Sequence, residues 1–347
     1  MAADAAPETW IATWLVHDSE ATGTFMPNVN ASSAERRTQE IYARCVLIFF
    51  ATSIRQNPSF RHVLFTNADV ALVDDVDIIA AIRGWGVEIV RLEPEFHLPA
   101  GAVSAFANQF YVLGIINRLA QLAPDDCRVI LLDADCVVLK PLGPMSDAIG
   151  ENGLLGLPLG DDEVNGSSLD GMQKALDEFA PARAHEAEVV YWGGELFAAT
   201  GRWCRIVDAE IPALWRVAVA HAFEPGWIKE EAHMLSVLYA ARAPDIADAS
   251  SFIRRVWTAF KLNDAGKADL KLAIWHVPAE KSFGLRRIYP LMADPSSFFW
   301  RGSPRDDWRI LGRYLGVPRR SLRKLVADVA LKASARLPSI RARGKRG

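Results

Sequence analysis

Short apolar runs and helically spaced apolar positions alternate along the first 160 residues of the chain. Continuous apolar runs of strand length lie at 10–17, 61–69, 87–93 and 127–139. Between them, apolar residues recur every three or four positions and predict helices over 32–56, 76–86 and 104–124. Strands that alternate with helices form a parallel sheet with right-handed crossovers, and ligands bind at the carboxyl ends of its strands. The pattern therefore predicts an α/β fold, with a mainly parallel mixed sheet flanked by helices.

The second half of the chain has a less regular pattern. Residues 188–200 alternate poorly and contain a glycine pair, whereas 202–223 and 230–242 have helical spacing and 270–282 resembles a strand leaving into a loop. No internal repeat or low-complexity linker divides the chain. We therefore expect one mixed α/β domain over residues 1–316 and a separate basic amphipathic tail over 317–347.

Composition places the chain among ordinary globular proteins, with 50% hydrophobic and 23% charged residues in 347. The apolar stretch at 45–51 is far shorter than the roughly 20 residues that cross a bilayer. The first ten residues lack the features of a secretory signal, so we expect a cytoplasmic protein. The four cysteines have no metal-binding or disulfide-framework spacing, and we expect them in the core.

Charge is distributed unevenly between the body and the C-terminal segment. Residues 317–347 hold ten Lys or Arg against one acid, so they carry +9, and residues 1–316 carry −12 of the total of −3. Apolar residues of this segment share one helical stripe among the basic ones: Leu322, Leu325, Val326, Val329 and Ala333. A basic amphipathic helix suits peripheral attachment to an anionic membrane surface, here the inner face of the membrane, and a solvated terminus is the alternative.

Two carboxylates interrupt the apolar run at 127–139. Asp133 and Asp135 flank Ala134 in the segment LLDADCVVLKPL. Alternate residues of a strand project to the same side, roughly 6 to 7 Å apart, so both carboxylates can engage one divalent ion. Hard oxygen ligands suit Mg²⁺ or Mn²⁺, which keep positions open for substrate phosphates. A turn with two solvated aspartates is the alternative, because a D-x-D pair alone is a short motif.

The wider segment resembles the D-x-D strand of GT-A glycosyltransferases that use nucleotide sugars, most closely family 8 and related bacterial nucleotide-diphospho-sugar transferases. The resemblance extends over about residues 10–290 through the order of NQFYVLGIINRL, LLDADCVVLKPL, VYWGGELF, EEAHMLSVLY and WHVPAEKSFG. It implies the GT-A fold, a nucleoside-diphosphate sugar donor such as a UDP-sugar, and a hydroxyl acceptor on a glycan or lipid-linked saccharide. It also implies that Asp133 and Asp135 bind Mn²⁺ or Mg²⁺ and contact the ribose and diphosphate.

The resemblance points to a third metal ligand, His276, and to a diphosphate contact, Lys281. WHVPAEKSFG lacks the family's glycine and has its lysine one position early, so the match is partial. A structural histidine and a solvated lysine are the alternatives.

Further positions follow from their place in the same order of segments. Glycine lets a ligand approach the backbone, and a carboxylate at a helix start can act on the acceptor or complement the helix dipole. Amides can bind sugar hydroxyls, and the end of the first strand is the usual place for nucleobase and ribose contacts. These candidates are Gly193 and Gly194 for donor approach, Glu230 and Glu231 for catalysis, Asn108 and Gln109 for the donor sugar, and Val16, His17 and Asp18 for the nucleoside. A glycine bulge and ordinary polar helix positions are the alternatives.

Two other functions compete with glycosyl transfer. A sugar nucleotidyltransferase would show a glycine-rich basic loop after the first strand, but LVHDSEATGTFMPNVN has one glycine and no Lys or Arg. A non-catalytic nucleotide-sugar-binding module would not need the intact aspartate pair. No broad basic groove for nucleic acid is indicated.

Overall fold

The computed structural model describes residues 7–334 except 21, 28, 100, 103–104, 161–162, 165–166 and 244. Its strands are β1 Thr9–Leu15, β2 Phe25–Met26, β3 Ala31–Ser32, β4 Arg61–Thr66, β5 Leu72–Val73, β6 Val76–Asp77, β7 Glu88–Arg91, β8 Arg128–Leu132, β9 Cys136–Val138, β10 Leu154–Gly156, β11 Glu163–Val164, β12 Ser167–Ser168, β13 Leu196–Thr200, β14 Ala247–Asp248, β15 Ile253–Arg255 and β16 Ile274–His276.

Its α-helices are α1 Arg36–Gln56, α2 Ile78–Gly84, α3 Tyr111–Leu122, α4 Gly143–Asn152, α5 Leu169–Phe179, α6 Pro181–Ala184, α7 Gly201–Ala220, α8 Glu231–Arg242, α9 Gly284–Ala293, α10 Phe298–Arg301, α11 Asp307–Leu315 and α12 Leu322–Ser334. Short 3-10 helices cover Ala107–Phe110, Lys267–Lys271, Pro278–Glu280 and Pro304–Asp306.

A central sheet of seven strands has the order β14-β10-β13-β8-β1-β4-β7. The pairs β8–β1, β1–β4, β4–β7 and β10–β14 are parallel, whereas β13 runs antiparallel to both of its neighbours. The sequence-based prediction of a mainly parallel, mixed α/β sheet flanked by helices is confirmed.

Both faces of this sheet are covered by helices. Along β8, Ile130 and Leu132 face a core shared with α1, α4 and α9, while Val129 and Leu131 face a core shared with α3, α5, α7 and α8. Burying each such aliphatic side chain contributes roughly 1.5–3 kcal/mol. Two-sided burial explains why β8 is continuously apolar in the sequence.

A three-stranded sheet, β15-β16-β9, lies beside the end of β8. β9 pairs antiparallel with β16, which pairs parallel with β15. The strand predicted over 127–139 is therefore wrong as one element, because the chain leaves the central sheet after Leu132 and enters the small sheet at Cys136. Only Asp133, Ala134 and Asp135 lie between the two strands.

Other elements are shorter than the sequence predicts, because the apolar pattern extends beyond the residues whose backbone forms the helix or strand. The helix expected over 104–124 is a 3-10 turn followed by α3 at Tyr111–Leu122. Residues 188–200, whose pattern predicted no clear element, contain β13 at Leu196–Thr200. The strand expected over 270–282 shrinks to Ile274–His276, followed by the 3-10 turn Pro278–Glu280.

Several expectations about the whole chain can be compared with the described residues. The four cysteines are free and buried, as expected for core residues. Within the described ranges, no helix is both long and apolar enough to cross a bilayer. The boundary between 316 and 317 stays a prediction, and residues 335–347 of the segment after it lie outside the described part of the chain.

Candidate functional site

A cleft opens where β1 and β8 end and the small sheet begins. It is lined by residues from β1, α1, the turn 133–135, the start of α8, β15 and the segment after β16: Trp14, Leu15, Val16, Met26, Ser33, Thr38, Gln39, Tyr42, Phe106, Asn108, Gln109, Asp133, Ala134, Asp135, Tyr191, Gly194, Glu195, Glu230, Glu231, Ala232, Arg255, Trp257, His276, Pro278 and Lys281. A cleft at the carboxyl ends of parallel strands is where α/β folds bind ligands.

Asp133, Asp135 and His276 form a cluster in this cleft. His276 Nε2 lies 3.3 Å from Asp135 Oδ2 and 3.7 Å from Asp133 Oδ2. One candidate ligand atom from each residue lies within 4.8 Å of the others. Within the described part of the chain, Nε2 is buried and makes no hydrogen bond. Two carboxylates and an imidazole nitrogen aimed at one point form a donor set that a divalent metal ion fits.

The turn that carries the aspartates is fixed by backbone hydrogen bonds. The Asp133 amide donates to the Glu195 carbonyl at 3.2 Å, the Cys136 amide to the Asp133 carbonyl at 3.0 Å, and the Val277 amide to the Asp135 carbonyl at 3.2 Å. The turn is thus held by β13 on one side and by the end of β16 on the other.

Glu195 orients His276 from behind. Its Oε1 lies 3.1 Å from His276 Nδ1, and its carboxylate accepts from Arg255 Nε at 2.9 Å and Arg255 Nη2 at 2.6 Å. A carboxylate on one ring nitrogen fixes the ring orientation, and here it directs the other nitrogen toward Asp133 and Asp135. The sequence reasoning missed Glu195 and Arg255.

Lys281 lies against the cluster. Its buried Nζ donates to Asp135 Oδ2 at 2.5 Å. The alternative of a solvated surface lysine is therefore wrong, while its role as a diphosphate contact stays a prediction.

The ionisation of this cluster is strongly coupled. Burial and the charge of Asp135 raise the pKa of Asp133. For Asp135, the effect of burial is outweighed by the charges of Lys281 and His276, so its pKa lies well below the usual range. Burial alone would lower the pKa of His276, but Asp135 and Glu195 raise it to about 9. A divalent ion bound here would displace the His276 proton, so its affinity would increase with pH.

Glu230, the N-cap of α8, and Glu231, its first residue, also line the cleft. The Tyr191 hydroxyl donates to Glu230 Oε1 at 3.1 Å. Burial, then the charges of Glu230 and Asp133, raise the pKa of Glu231 well above its ordinary value. Its buried Oε2 has no hydrogen-bond partner in the described part of the chain. Gly194 permits this approach, because a Cβ there would stand 2.2 Å from Glu231 Oε1.

The predicted nucleoside and sugar contacts divide into two groups. Val16, Asn108 and Gln109 line the cleft, and Asn108 Nδ2 donates to Asp18 Oδ2 at 3.2 Å. Asp18 itself, His17 and Gly193 are not among the lining residues. The His17 amide donates to Asn67 Oδ1 at 2.8 Å, which ties the end of β1 to the end of β4.

Comparisons with known proteins give a structural likeness only. No family model matches the sequence, and no curated protein matches it. Among solved structures, the chain is similar to an active-site mutant of LgtC, with a TM-score of 0.45 and 14% identity over 77% of this chain and 86% of that one. A structure of galactosyltransferase LgtC in complex with donor and acceptor sugar analogues gives the same TM-score and identity over 87% of this chain and 99% of that one. At these values the likeness does not establish family membership.

Proposed function

We propose that this protein is a metal-dependent glycosyltransferase of the GT-A type. It would move a sugar from a nucleoside-diphosphate sugar to a hydroxyl of a glycan or lipid-linked saccharide. The donor that we propose is a UDP-sugar. The observation that carries the proposal is the convergence of Asp133, Asp135 and His276, with ligand atoms within 4.8 Å, in a cleft at the strand ends.

Mn²⁺ or Mg²⁺ would be held by Asp133, Asp135 and His276. When bound, such an ion neutralises the negative charge of a leaving diphosphate. The Nε2 of His276, which makes no hydrogen bond to the described residues, and the two carboxylates that face it support this assignment.

Lys281 would bind the donor diphosphate. Its buried ammonium already lies at the cluster, 2.5 Å from Asp135 Oδ2, and phosphate oxygens are strong acceptors for such a charge. The nucleoside and donor sugar would contact three residues that line the same cleft, Val16, Asn108 and Gln109. Asp18 would act indirectly, by accepting a hydrogen bond from Asn108 and holding its side chain in place.

Glu231 would act on the acceptor hydroxyl. Its unpartnered Oε2 offers an acceptor for that hydroxyl, and burial with the charges of Glu230 and Asp133 raises its pKa, which makes the ionised carboxylate a stronger base. In an inverting reaction it would be the general base, and in a retaining one it would position the acceptor. Glu230 would support it from beside Tyr191.

Donor turnover tests this function. Purified protein is incubated with UDP-, GDP- and CMP-sugars and Mn²⁺, with and without a chelator, and the released nucleotide is measured. Asp135→Asn should abolish metal-dependent release while Asp126→Asn, an exposed residue just before β8, should leave it unchanged. Equal release by wild type and Asp135→Asn at saturating Mn²⁺ would show that the cluster does not carry the reaction.

The same assay separates the competing functions. A nucleotidyltransferase joins a nucleoside triphosphate to a sugar phosphate and releases pyrophosphate, whereas a glycosyltransferase with a diphosphate donor releases the nucleoside diphosphate. A binding module would bind the nucleotide sugar without releasing either product.

We also propose reversible attachment to an anionic membrane surface through the C-terminal segment, which would bring a lipid-linked acceptor to the site. Leu322, Val326 and Val329 are 81%, 68% and 52% exposed on the outer face of α12, and Arg323 and Lys332 flank them. Residues 335–347, outside the described part, add five basic residues and no acid. Each basic residue near anionic lipid contributes roughly 1 kcal/mol, which supports salt-sensitive binding.

A further inference from the structure

The C-terminal helix α12 contacts the body of the protein through a buried lysine. The Lys324 side chain is fully buried, and its Nζ donates to Glu280 Oε1 at 2.9 Å and to Asp328 Oδ2 at 2.6 Å. Asp328 Oδ1 in turn accepts from Arg287 Nη2, on α9, at 3.1 Å. A lysine is fully buried almost only when it is paired, so these contacts fix where α12 lies.

Glu280, the partner of Lys324, joins three segments of the candidate site. It ends the 3-10 turn Pro278–Glu280, and its Oε2 accepts from the Gly284 amide, at the start of α9, at 2.8 Å. Its Oε1 also accepts from the Thr258 hydroxyl. Thr258 follows Trp257, a cleft residue, so one carboxylate connects the turn, α9 and the strand end beside the cleft.

The residue after Glu280 is Lys281, which reaches the metal cluster. Its Nζ lies 2.5 Å from Asp135 Oδ2, and the side chain is 6% exposed. The path of the backbone through Glu280 therefore sets the direction of the Lys281 side chain. Lys324 pairs with the Glu280 carboxylate at 2.9 Å and holds it in place.

We propose that Lys324 is a positioning residue for the donor diphosphate, and that α12 is part of the donor site instead of a detachable tail. It acts by holding Glu280, and through it Lys281. This inference rests on the proposed function, in which Lys281 binds the diphosphate. Without Lys324, the buried Glu280 carboxylate loses the ammonium that pairs with it, and the turn must open toward water or change its hydrogen bonds.

Replacing Lys324 by Met tests this, because Met keeps the length of the side chain and removes its charge. The matched control is Arg323→Met, one position earlier on the exposed side of the same helix. Binding of UDP, GDP and CDP is measured by calorimetry at saturating Mn²⁺, and binding of Mn²⁺ alone is measured separately. All measurements are made at a temperature where circular dichroism shows each variant folded.

We expect Lys324→Met to weaken nucleoside-diphosphate binding by about 10- to 100-fold, the scale of one charge-assisted hydrogen bond. Affinity for Mn²⁺ alone should not fall, because Lys324 touches none of the three metal ligands and a less tightly held Lys281 leaves Asp135 freer to bind the ion. Arg323→Met should change neither. Glu280→Gln removes the same ion pair, should show the same loss, and replaces Lys324→Met if that variant does not fold.

Two results would overturn the proposal in distinguishable ways. Wild-type nucleotide affinity in both Lys324→Met and Glu280→Gln, with only a lower melting temperature, would make Lys324 purely structural and leave the proposed function intact. A wild-type protein that binds none of the three nucleotides would refute the proposed function together with this inference.

Discussion

The buried Glu195 carboxylate stabilises the fold by pairing with Arg255 and also orients the His276 ring, and two substitutions of Glu195 can separate these effects. Its charge pairs with Arg255 through bonds of 2.9 and 2.6 Å, and its Oε1 lies 3.1 Å from His276 Nδ1. Glu195→Gln removes the charge but keeps an oxygen that can accept from Nδ1. Glu195→Met keeps a similar volume and removes both.

Both substitutions should destabilise the fold by a similar amount. Breaking a buried ion pair from one side costs about 3–5 kcal/mol, and because the Arg255 side chain is 23% exposed we expect about 3 kcal/mol. Only Glu195→Met should also weaken Mn²⁺ binding, by about 10- to 100-fold, because His276 loses the partner that orients its ring.

The assays are urea denaturation and Mn²⁺ titration without nucleotide. Glu88→Gln is the matched control, since Glu88 also pairs with an arginine, Arg61, but is 43% exposed, and its loss should cost at most about 1 kcal/mol. Equal loss of Mn²⁺ affinity in Glu195→Gln and Glu195→Met would refute the orientation argument, because charge alone would then set the affinity. Unchanged affinity in both would remove Glu195 from the site.

Three other predictions use different observables. His276→Ala should weaken Mn²⁺ binding by about 10- to 100-fold in a titration, and unchanged binding with a lower melting temperature would make His276 a packing residue. Burial lowers the pKa of His62, beside Ser53, to about 4 from 6.5, so stability should be lost as pH falls from 6.5 toward 4. The loss should reach about 3 kcal/mol in denaturation curves, and an equal slope in His62→Gln would contradict this. Val326→Asp, on the outer face of α12, should abolish co-sedimentation with anionic vesicles at low salt while donor turnover persists, and unchanged co-sedimentation would contradict the membrane proposal.

The sequence was sufficient to predict the layered fold and the aspartate pair, for physical reasons. β1, β4 and β8 are covered on both faces, so their apolar runs are continuous and visible. Carboxylates in such a run must meet solvent or a cation, which located Asp133 and Asp135 correctly at the strand end. The break between β8 and β9 was invisible, because apolar residues continue on both sides of the turn.

Side-chain partners distant in the sequence could not be predicted. Glu195 lies one position after the predicted glycine pair, and a glutamate inside an apolar run was a signal that could have found it. Its partners Arg255 and His276 lie 60 and 81 positions away. The apolar stripe of the C-terminal helix gave no sign that Lys324 is buried, because its partner Glu280 lies 44 positions away in the sequence.

Anomalous diffraction from crystals grown with Mn²⁺ and UDP tests the central claim most directly. The account predicts one manganese peak within coordination distance of Asp133, Asp135 and His276 Nε2, with the diphosphate of UDP bound at that ion and beside Lys281. UDP bound in the cleft with no manganese at these three residues, or manganese and UDP bound elsewhere on the protein, would contradict it.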